Sequence, residues 1–476
     1  MRLKVSRSKN AASLYVIEST YINGIHSSRI VEKLGTEEEL RKKLDGADPY
    51  EWAKEYVAEL TKLDKERKRK TMVPYSPNKL IPIGEQRTFN GGYLFLQRLY
   101  HQLKLDKICN DISKRHRFSF DLSEVLSRLV YGRVLFPASK LATHKLSRRL
   151  LEQPSFELQH IYRALGVIAE ESDFIQSEVY KNSRSVQRRN AGILYYDCTN
   201  YFFEIDQADG DKQYGYSKEH RPNPVVGMGL FIDSDGIPLA FDMHAGNTNE
   251  QITLRPLEKK ILRDFDLSKI VVCTDAGLAS GDNRKFNDKQ DRAFITTQSV
   301  KKLKKHLREW ALAPDGWRIA GNRKKVYDIS MLDETADKNI IYHKERWIKE
   351  DGLEQRLIVT FSTKYREYLR NIRNAQVERA RKLISKNPGK LKKAKQNDYK
   401  RFVKKVSVTV DGEVANIETY SIDKSIIAAE EVFDGYYAVC TNLEDDVASI
   451  VAVNRRRWQI EECFRIMTQL LSQDNK

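Results

Sequence analysis

Nothing in the 476-residue sequence limits the possible folds as sharply as five short apolar runs that stand far apart along the chain. They are ILYYDCTNYFFEI from residue 193, VVGMGLFI (225–232), IPLAFDM (237–243), KIVVCTD (269–275) and GYYAVCT (435–441). Runs of this length, rich in β-branched and aromatic residues, read as strands with buried faces. The second and third are joined by DSDG and read as an antiparallel hairpin. Before them the period is different. In residues 90–190, Leu94, Leu96, Leu99 and Leu103, then Leu122, Val125, Leu126 and Leu129, recur at helical spacing. Helices followed by strands make the fold class α+β.

The flanking stretches divide the chain further. Residues 1–35 read as short strands with Asn23-Gly24 as a hairpin turn, and Glu37 to Lys70 as a charged helix or helix pair ending in KERKRK. Residues 74–85, PYSPNKLIPIGE, hold three prolines and read as a linker. The expected organisation is an N-terminal module with its linker (1–85), a helical region (86–190), a first part of a sheet core (191–300), a β-rich stretch (301–430) and a last strand and helix (431–476).

Charge points to the partner. Lys and Arg total 83 against 66 Asp and Glu, a net +17, which suits a polyanion. Two basic patches concentrate the excess: Lys301, Lys302, Lys304, Lys305 and Arg308, and residues 379–405, where twelve Lys or Arg face the single acid Asp398. Five scattered cysteines without a CxxC pair fit a reducing compartment. No apolar run approaches the ~18 residues of a membrane span, and the basic start leads into AASLYVIES, too short for a secretory signal.

Hard divalent cations take carboxylate oxygens, so acids carried by buried strands are the natural candidates. Asp197 follows ILYY and Asp275 ends KIVVCT; a strand-end Asp is also ordinary turn chemistry. In the last helix Arg457 and Glu461 stand four residues apart and share a face. Val447, Ile450, Val451, Asn454, Trp458, Glu461, Arg465 and Thr468 recur at helical spacing, which sets Glu461 in line with the apolar stripe, where an acid needs a partner. A solvated Glu beside an Arg is the alternative. His244 lacks a second ligand at i+4, the glycines of GMG (227–229) lack the helix and Lys of a phosphate loop, and Cys198 and Cys273 are expected on the strand face opposite the two Asp residues.

YYDCTNYFFE, VVCTDAGLASGDN, GYYAVCTN and RWQIEECFRIM together resemble the DDE transposases of bacterial insertion sequences, in the broad group numbered four, and the resemblance begins with MRLKVSRSKN and VEKLG near the start. It implies a ribonuclease H-like mixed-sheet core interrupted by a β-rich insertion at about 300–430. It also implies that Asp197, Asp275 and Glu461, 78 and 186 residues apart, bind two Mg²⁺ ions, with Mn²⁺ able to substitute, while Arg457 orients Glu461 or a phosphate. The family's last motif has Tyr and Lys where this chain has Asn454 and Thr468.

The implied reaction is cleavage of DNA at the element's ends, followed by attack of the freed 3′-hydroxyl on target DNA. Double-stranded DNA becomes the polyanion, gripped by Lys301, Lys302, Lys304, Lys305, Arg379, Arg381, Lys392, Lys393 and Arg457. Trp310, Trp317 and Trp347 of the insertion could stack on an unpaired base or pack in its core. A homodimer in a synaptic complex, in a bacterial cytoplasm and associated with the nucleoid, is implied as well. Relatives continue past the position of Lys476, so a truncated copy that binds transposon ends without cutting is the first rival reading, and a host nuclease on the same fold the second.

Overall fold

The computed structural model describes residues 1–7, 12–22, 25–44, 47–67, 80, 83–84, 88–267, 269–386, 398–408 and 417–472. They belong to two compact units, Met1–Gly91 with Arg148–Gln153, and Gly92–Ser147 with Pro154–Lys476.

In the first unit β1 (Arg2–Arg7), β2 (Ala12–Ile22) and β3 (Ile25–Thr36) form an antiparallel sheet in chain order. The expected turn residues Asn23 and Gly24 lie outside the described residues, as do residues 68–70 of the basic run and most of the linker. Thr36 ends β3 and caps α1 (Glu37–Lys43). Its hydroxyl accepts from the Glu39 N–H at 3.3 Å, and the Glu39 carboxylate accepts from the Thr36 N–H at 2.8 Å, so two helix-end donors are satisfied reciprocally. With α2 (Pro49–Arg67) the expected helix pair is complete, and Leu14, Leu40 and Ala53 are its buried centre.

The second unit opens with six helices: α3 (Tyr93–Gln102), α4 (Leu105–Arg115), α5 (Leu122–Leu135), α6 (Lys140–Ser147), α7 (Leu158–Glu170) and α8 (Ser172–Ser183). The buried side of α3 is carried by Tyr93 and Tyr100, whose rings pack on Tyr131, while Leu94 and Leu99 are exposed. Ile108, Ile112, Leu122, Val125 and Ile161 form the helical core.

The remaining strands are β4 (Ile193–Phe202), β5 (Val225–Asp233), β6 (Pro238–Ala245), β7 (Ile270–Thr274), β8 (Arg292–Gln298), β9 (Trp317–Ile319), β10 (Asn322–Tyr327), β11 (Tyr342–Glu350), β12 (Leu353–Phe361), β13 (Val403–Val408), β14 (Ile417–Ile422) and β15 (Tyr436–Thr441). Ten of them make one mixed sheet in the order β10-β9-β11-β12-β15-β8-β7-β4-β5-β6, and β13 and β14 pair separately. The antiparallel meander β4-β5-β6, with β7 parallel to β4 and β8 parallel to β7, is the ribonuclease H-like core of an α+β fold. The β-rich stretch interrupts this core in sequence, yet β9 to β12 extend the same sheet. Its edge strand β10, NRKKVY, carries lysines, which resist pairing with a further strand.

Both faces of the sheet are covered. Tyr196, Cys198, Phe231 and Val272 pack on α9 (Leu254–Asp264) through Leu254, Leu257 and Ile261. On the other face Tyr195, Leu230, Cys273, Ile295, Ile358 and Val439 meet Val447, Ile450 and Val451 of α14 (Val447–Arg455) and Ile460 and Phe464 of α15 (Trp458–Ser472). This double cover explains why β5 is buried along its whole length and why the strands read as continuous apolar runs rather than alternating ones. The GMG glycines are packing residues. A Cβ at Gly227 would stand 2.1 Å from the His244 Nε2, and one at Gly229 2.2 Å from the Tyr196 hydroxyl.

Further along lie α10 (Gly281–Phe286), α11 (Lys305–Leu312), α12 (Thr363–Lys386) and α13 (Lys424–Glu431). Trp317, on β9, is fully buried against the Phe361 and Tyr436 rings, and its Nε1 donates to the Ala313 carbonyl at 2.9 Å. Truncating a side chain of this size in a packed core costs about 3–5 kcal/mol. The single helix expected from Asp445 onward is two, α14 and α15, separated at Arg456 and Arg457.

Candidate active site

Asp197 lies in the middle of β4, not at its end. Strand alternation turns it to the side of Tyr195, the face covered by α14 and α15. The parallel register pairs Tyr195 with Cys273; carried on by two residues, it sets Asp275 level with Asp197 on the adjacent strand line, and neighbouring strands stand about 4.8 Å apart. Cys273 therefore shares the face of both acids, contrary to the expectation for it, because it precedes Asp275 by two positions. Cys198 does point to the opposite face, into the α9 side of the core.

The electrostatics agree with this placement. Burial pushes the Asp197 carboxyl up to about 6; the Lys218 ammonium opposes that, the Asp275 charge reinforces it, and the Cys198 N–H and the Arg457 guanidinium oppose it again. Asp197 Oδ1 accepts from the Cys198 N–H at 2.8 Å. Lys218 donates to the Cys198 carbonyl and sits 5.7 Å above the Phe464 ring of α15. It was missed in the sequence, since it stands in the segment between β4 and β5 where no period marks any residue.

Asp275 lies one residue beyond β7, in a turn, and its Oδ1 accepts from the Leu278 N–H at 2.9 Å. Arg457, in the break before α15, bonds through its backbone to Asn454 and Ile460, while its guanidinium makes no hydrogen bond or ion pair among the described residues and its charge reaches Asp197 and Cys273. Glu461 is exposed in the first turn of α15 and lines a cavity of about 540 Å³ with Lys364, Tyr365, Tyr368, Tyr437, Arg457 and Trp458. It is not in line with the buried stripe. The break at Arg456 and Arg457 resets the helical phase, so burial passes from Val447, Ile450, Val451 and Asn454 to Ile460 and Phe464, leaving Trp458, Glu461 and Arg465 outside.

Asn454 is buried and joins a polar cluster. Its Nδ2 donates to the Tyr437 hydroxyl at 2.7 Å, and that hydroxyl is 2.8 Å from Thr297 Oγ1. Asn454 is thus committed to this cluster, at the wall of the cavity that Arg457 and Glu461 also line.

Two side-by-side carboxylates, one half-desolvated and both on a covered sheet face, suit a hard divalent cation. The third donor is not brought to them: among the described residues no three His, Cys, Asp or Glu side chains are grouped closely enough to hold one ion. The basic candidates are at the surface. Lys301, Lys302, Lys304, Lys305, Arg379 and Arg381 are exposed; Lys304 pairs with Glu350 at 3.2 Å and Arg381 with Glu378 at 2.5 Å. Lys392 and Lys393 lie outside the described residues. Of the tryptophans, Trp317 is core, Trp310 is half-buried under Arg346, whose guanidinium is 5.3 Å from its ring, and Trp347 is 45% exposed.

No described helix is long and apolar enough to cross a membrane. No curated protein matches the sequence. A solved structure described as the cryo-EM structure of the piggyBac transposase synaptic complex with hairpin DNA is similar at a TM-score of 0.28 and 10% identity; the likeness covers 57% of this chain and 56% of that one. The family model for the transposase DDE domain matches residues 199–476, a span that includes Asp275, Arg457 and Glu461 and starts two residues after Asp197. This span is well over half of the sequence, and the chain belongs to the DDE transposase family.

Proposed function

We propose that this protein is the transposase of a bacterial insertion sequence of the broad group numbered four, which cleaves DNA at the element's ends with Mg²⁺ or Mn²⁺ and joins the freed 3′-hydroxyl to target DNA. The observation that carries the reading is the β4–β7 register, which pairs Tyr195 with Cys273 two residues before Asp197 and Asp275, together with the Asp275 charge felt at Asp197. In this reading Asp197, Asp275 and Glu461 hold the ions, and Glu461 joins the pair when DNA is bound. Bound divalent ions would stabilise charge on the scissile phosphate and lower the pKa of the attacking water or hydroxyl.

The protein's own groups do the rest. Lys218 offsets the charge of Asp197, keeping a carboxylate available near neutral pH in spite of burial. Arg457, whose guanidinium has no ion pair among the described residues and which lines the cavity beside Glu461, offers a planar fork to a phosphate. Exposed Lys301, Lys302, Lys305 and Arg379 grip the backbone without reading sequence, so binding weakens steeply with salt. The functional form in this reading is a homodimer holding two ends, at work in the bacterial cytoplasm on nucleoid DNA.

The second reading, a protein that binds ends without cutting them, is favoured by the separation of Glu461 from the aspartates. One experiment decides. A supercoiled plasmid carrying the element's ends is incubated with the protein and Mg²⁺ or Mn²⁺. Nicked and linear products that vanish in Asp197→Ala, with DNA binding kept, are expected. A band shift without any cleavage by the wild type would establish the second reading, and cleavage unaffected by removal of the ends would reveal a general nuclease.

A further inference from the structure

The two aspartates are held by different means. Asp197 sits within a strand paired on both sides, to β5 and to β7, so the sheet fixes its backbone. Asp275 has left the ladder and needs another support. Leu278 supplies part of it, donating its N–H to Asp275 Oδ1 while its side chain is buried in the core. The turn itself is then tied down by two amide side chains. Asn283, buried at 5% exposure, donates through Nδ2 to the Leu278 carbonyl and to the Gln251 carbonyl, both at 2.9 Å. Gln251 in turn donates through Nε2 to the Gly277 carbonyl at 3.0 Å. Asn283 thus clamps the segment ahead of α9 to the turn that carries Asp275, and Gln251 closes the clamp from the other side.

Resting on the reading of Asp275 as a metal ligand, we infer that Asn283 and Gln251 are positioning residues for it: they fix the 275–278 turn so that the carboxylate meets a divalent cation already oriented. Neither side chain touches the ion or the DNA. Outer groups that orient a ligand typically change metal affinity by about 10–100-fold when removed. Asn283→Asp keeps the shape but has no N–H to donate, so it breaks the clamp without opening a cavity.

The test is Mn²⁺ binding to the full chain followed by electron paramagnetic resonance, with thermal melting measured on the same samples. Asn283→Asp and Gln251→Ala are expected to weaken Mn²⁺ binding about tenfold or more, while Gln251→Ala, altered at an exposed side chain, melts as the wild type does. Gln251→Ala therefore keeps the inference testable even where an Asn283 variant fails to fold. Loss of binding in Asp275→Ala together with wild-type affinity in Gln251→Ala and in a folded Asn283→Asp overturns the inference and leaves Asp275 as a ligand. Unchanged Mn²⁺ binding in Asp275→Ala overturns the reading of the site itself, and the inference with it.

Discussion

The two faces of β4 bury acids beside different partners. Over the Tyr196 side, Glu258 of α9 is fully buried with the Asn287 amide as its hydrogen-bond donor at 3.0 Å, and the Tyr196 hydroxyl is satisfied by Thr253 at 2.7 Å. Burial pushes the Glu258 carboxyl up to about 7, opposed by Asn287 and Arg292. On the Asp197 side the acid is surrounded by charges, Lys218 and Arg457 against Asp275, and Arg457 also lines an open cavity. One face is a closed core in which an acid rests against a neutral amide. The other keeps an acid ionisable by setting cations near it, an arrangement that favours a ligand at some expense of stability.

The largest effect that separates the faces is on DNA cleavage. Asp197→Asn keeps the shape and removes the charge; on the proposed reading of Asp197 as a metal ligand, cleavage of end-bearing plasmid should fall on the order of 10³-fold or more, since such a loss forfeits several kcal/mol of transition-state stabilisation. The melting temperature should stay level or rise, because a desolvated charge has been removed. A melting temperature well below the wild type would mean that Asp197 is a structural acid like Glu258, and the contrast between faces would fail.

Glu258 should show itself only in stability. Its carboxyl titrates near 4.5 when unfolded and about 7 when folded, so the folded state binds the extra proton between these values, and stability declines as pH rises through that window. The stabilisation is whole below about pH 4.5 and is lost above about pH 7, a difference of roughly 3 kcal/mol. Glu258→Gln should flatten this component in urea unfolding measured at pH 5 and pH 8. Equal pH dependence in wild type and variant would show that Glu258 is ionised in the core.

What the sequence disclosed follows the same division. The strands β4, β5, β7 and β15 were legible because burial on both faces leaves an unbroken apolar run, and Asp197 and Asp275 stood out as acids attached to such runs. The phase of Glu461 was not legible: the break at Arg456 and Arg457 contains no Gly or Pro, so a continuous helix was the natural extrapolation and it carried Glu461 to the wrong side. Nor was the common sheet. β9 and β10 are short and polar, WRI and NRKKVY, and only long-range pairing of β12 with β15 joins them to the core. Lys218 and Asn283 act through backbone carbonyls of distant or irregular segments, which leave no periodic trace.

The smallest test compares two tyrosine hydroxyls. Tyr196 bonds Thr253 on the closed face, and Tyr437 bonds Asn454 and Thr297 on the open one. Each Tyr→Phe change leaves a buried polar partner short of a bond and should lower stability by about 1–2 kcal/mol. In stability the two variants should look alike. In plasmid cleavage they should not, since Tyr437 lines the cavity with Arg457 and Glu461 and holds Asn454 at the end of α14, just ahead of Arg457. Tyr437→Phe should slow cleavage about tenfold, which is about 1.4 kcal/mol, with Tyr196→Phe close to the wild type at a temperature where both are folded. Equal slowing by both would mean that cleavage reports only on the stability of the sheet; slowing by Tyr437→Phe alone would tie the Asn454 cluster to the placement of Arg457.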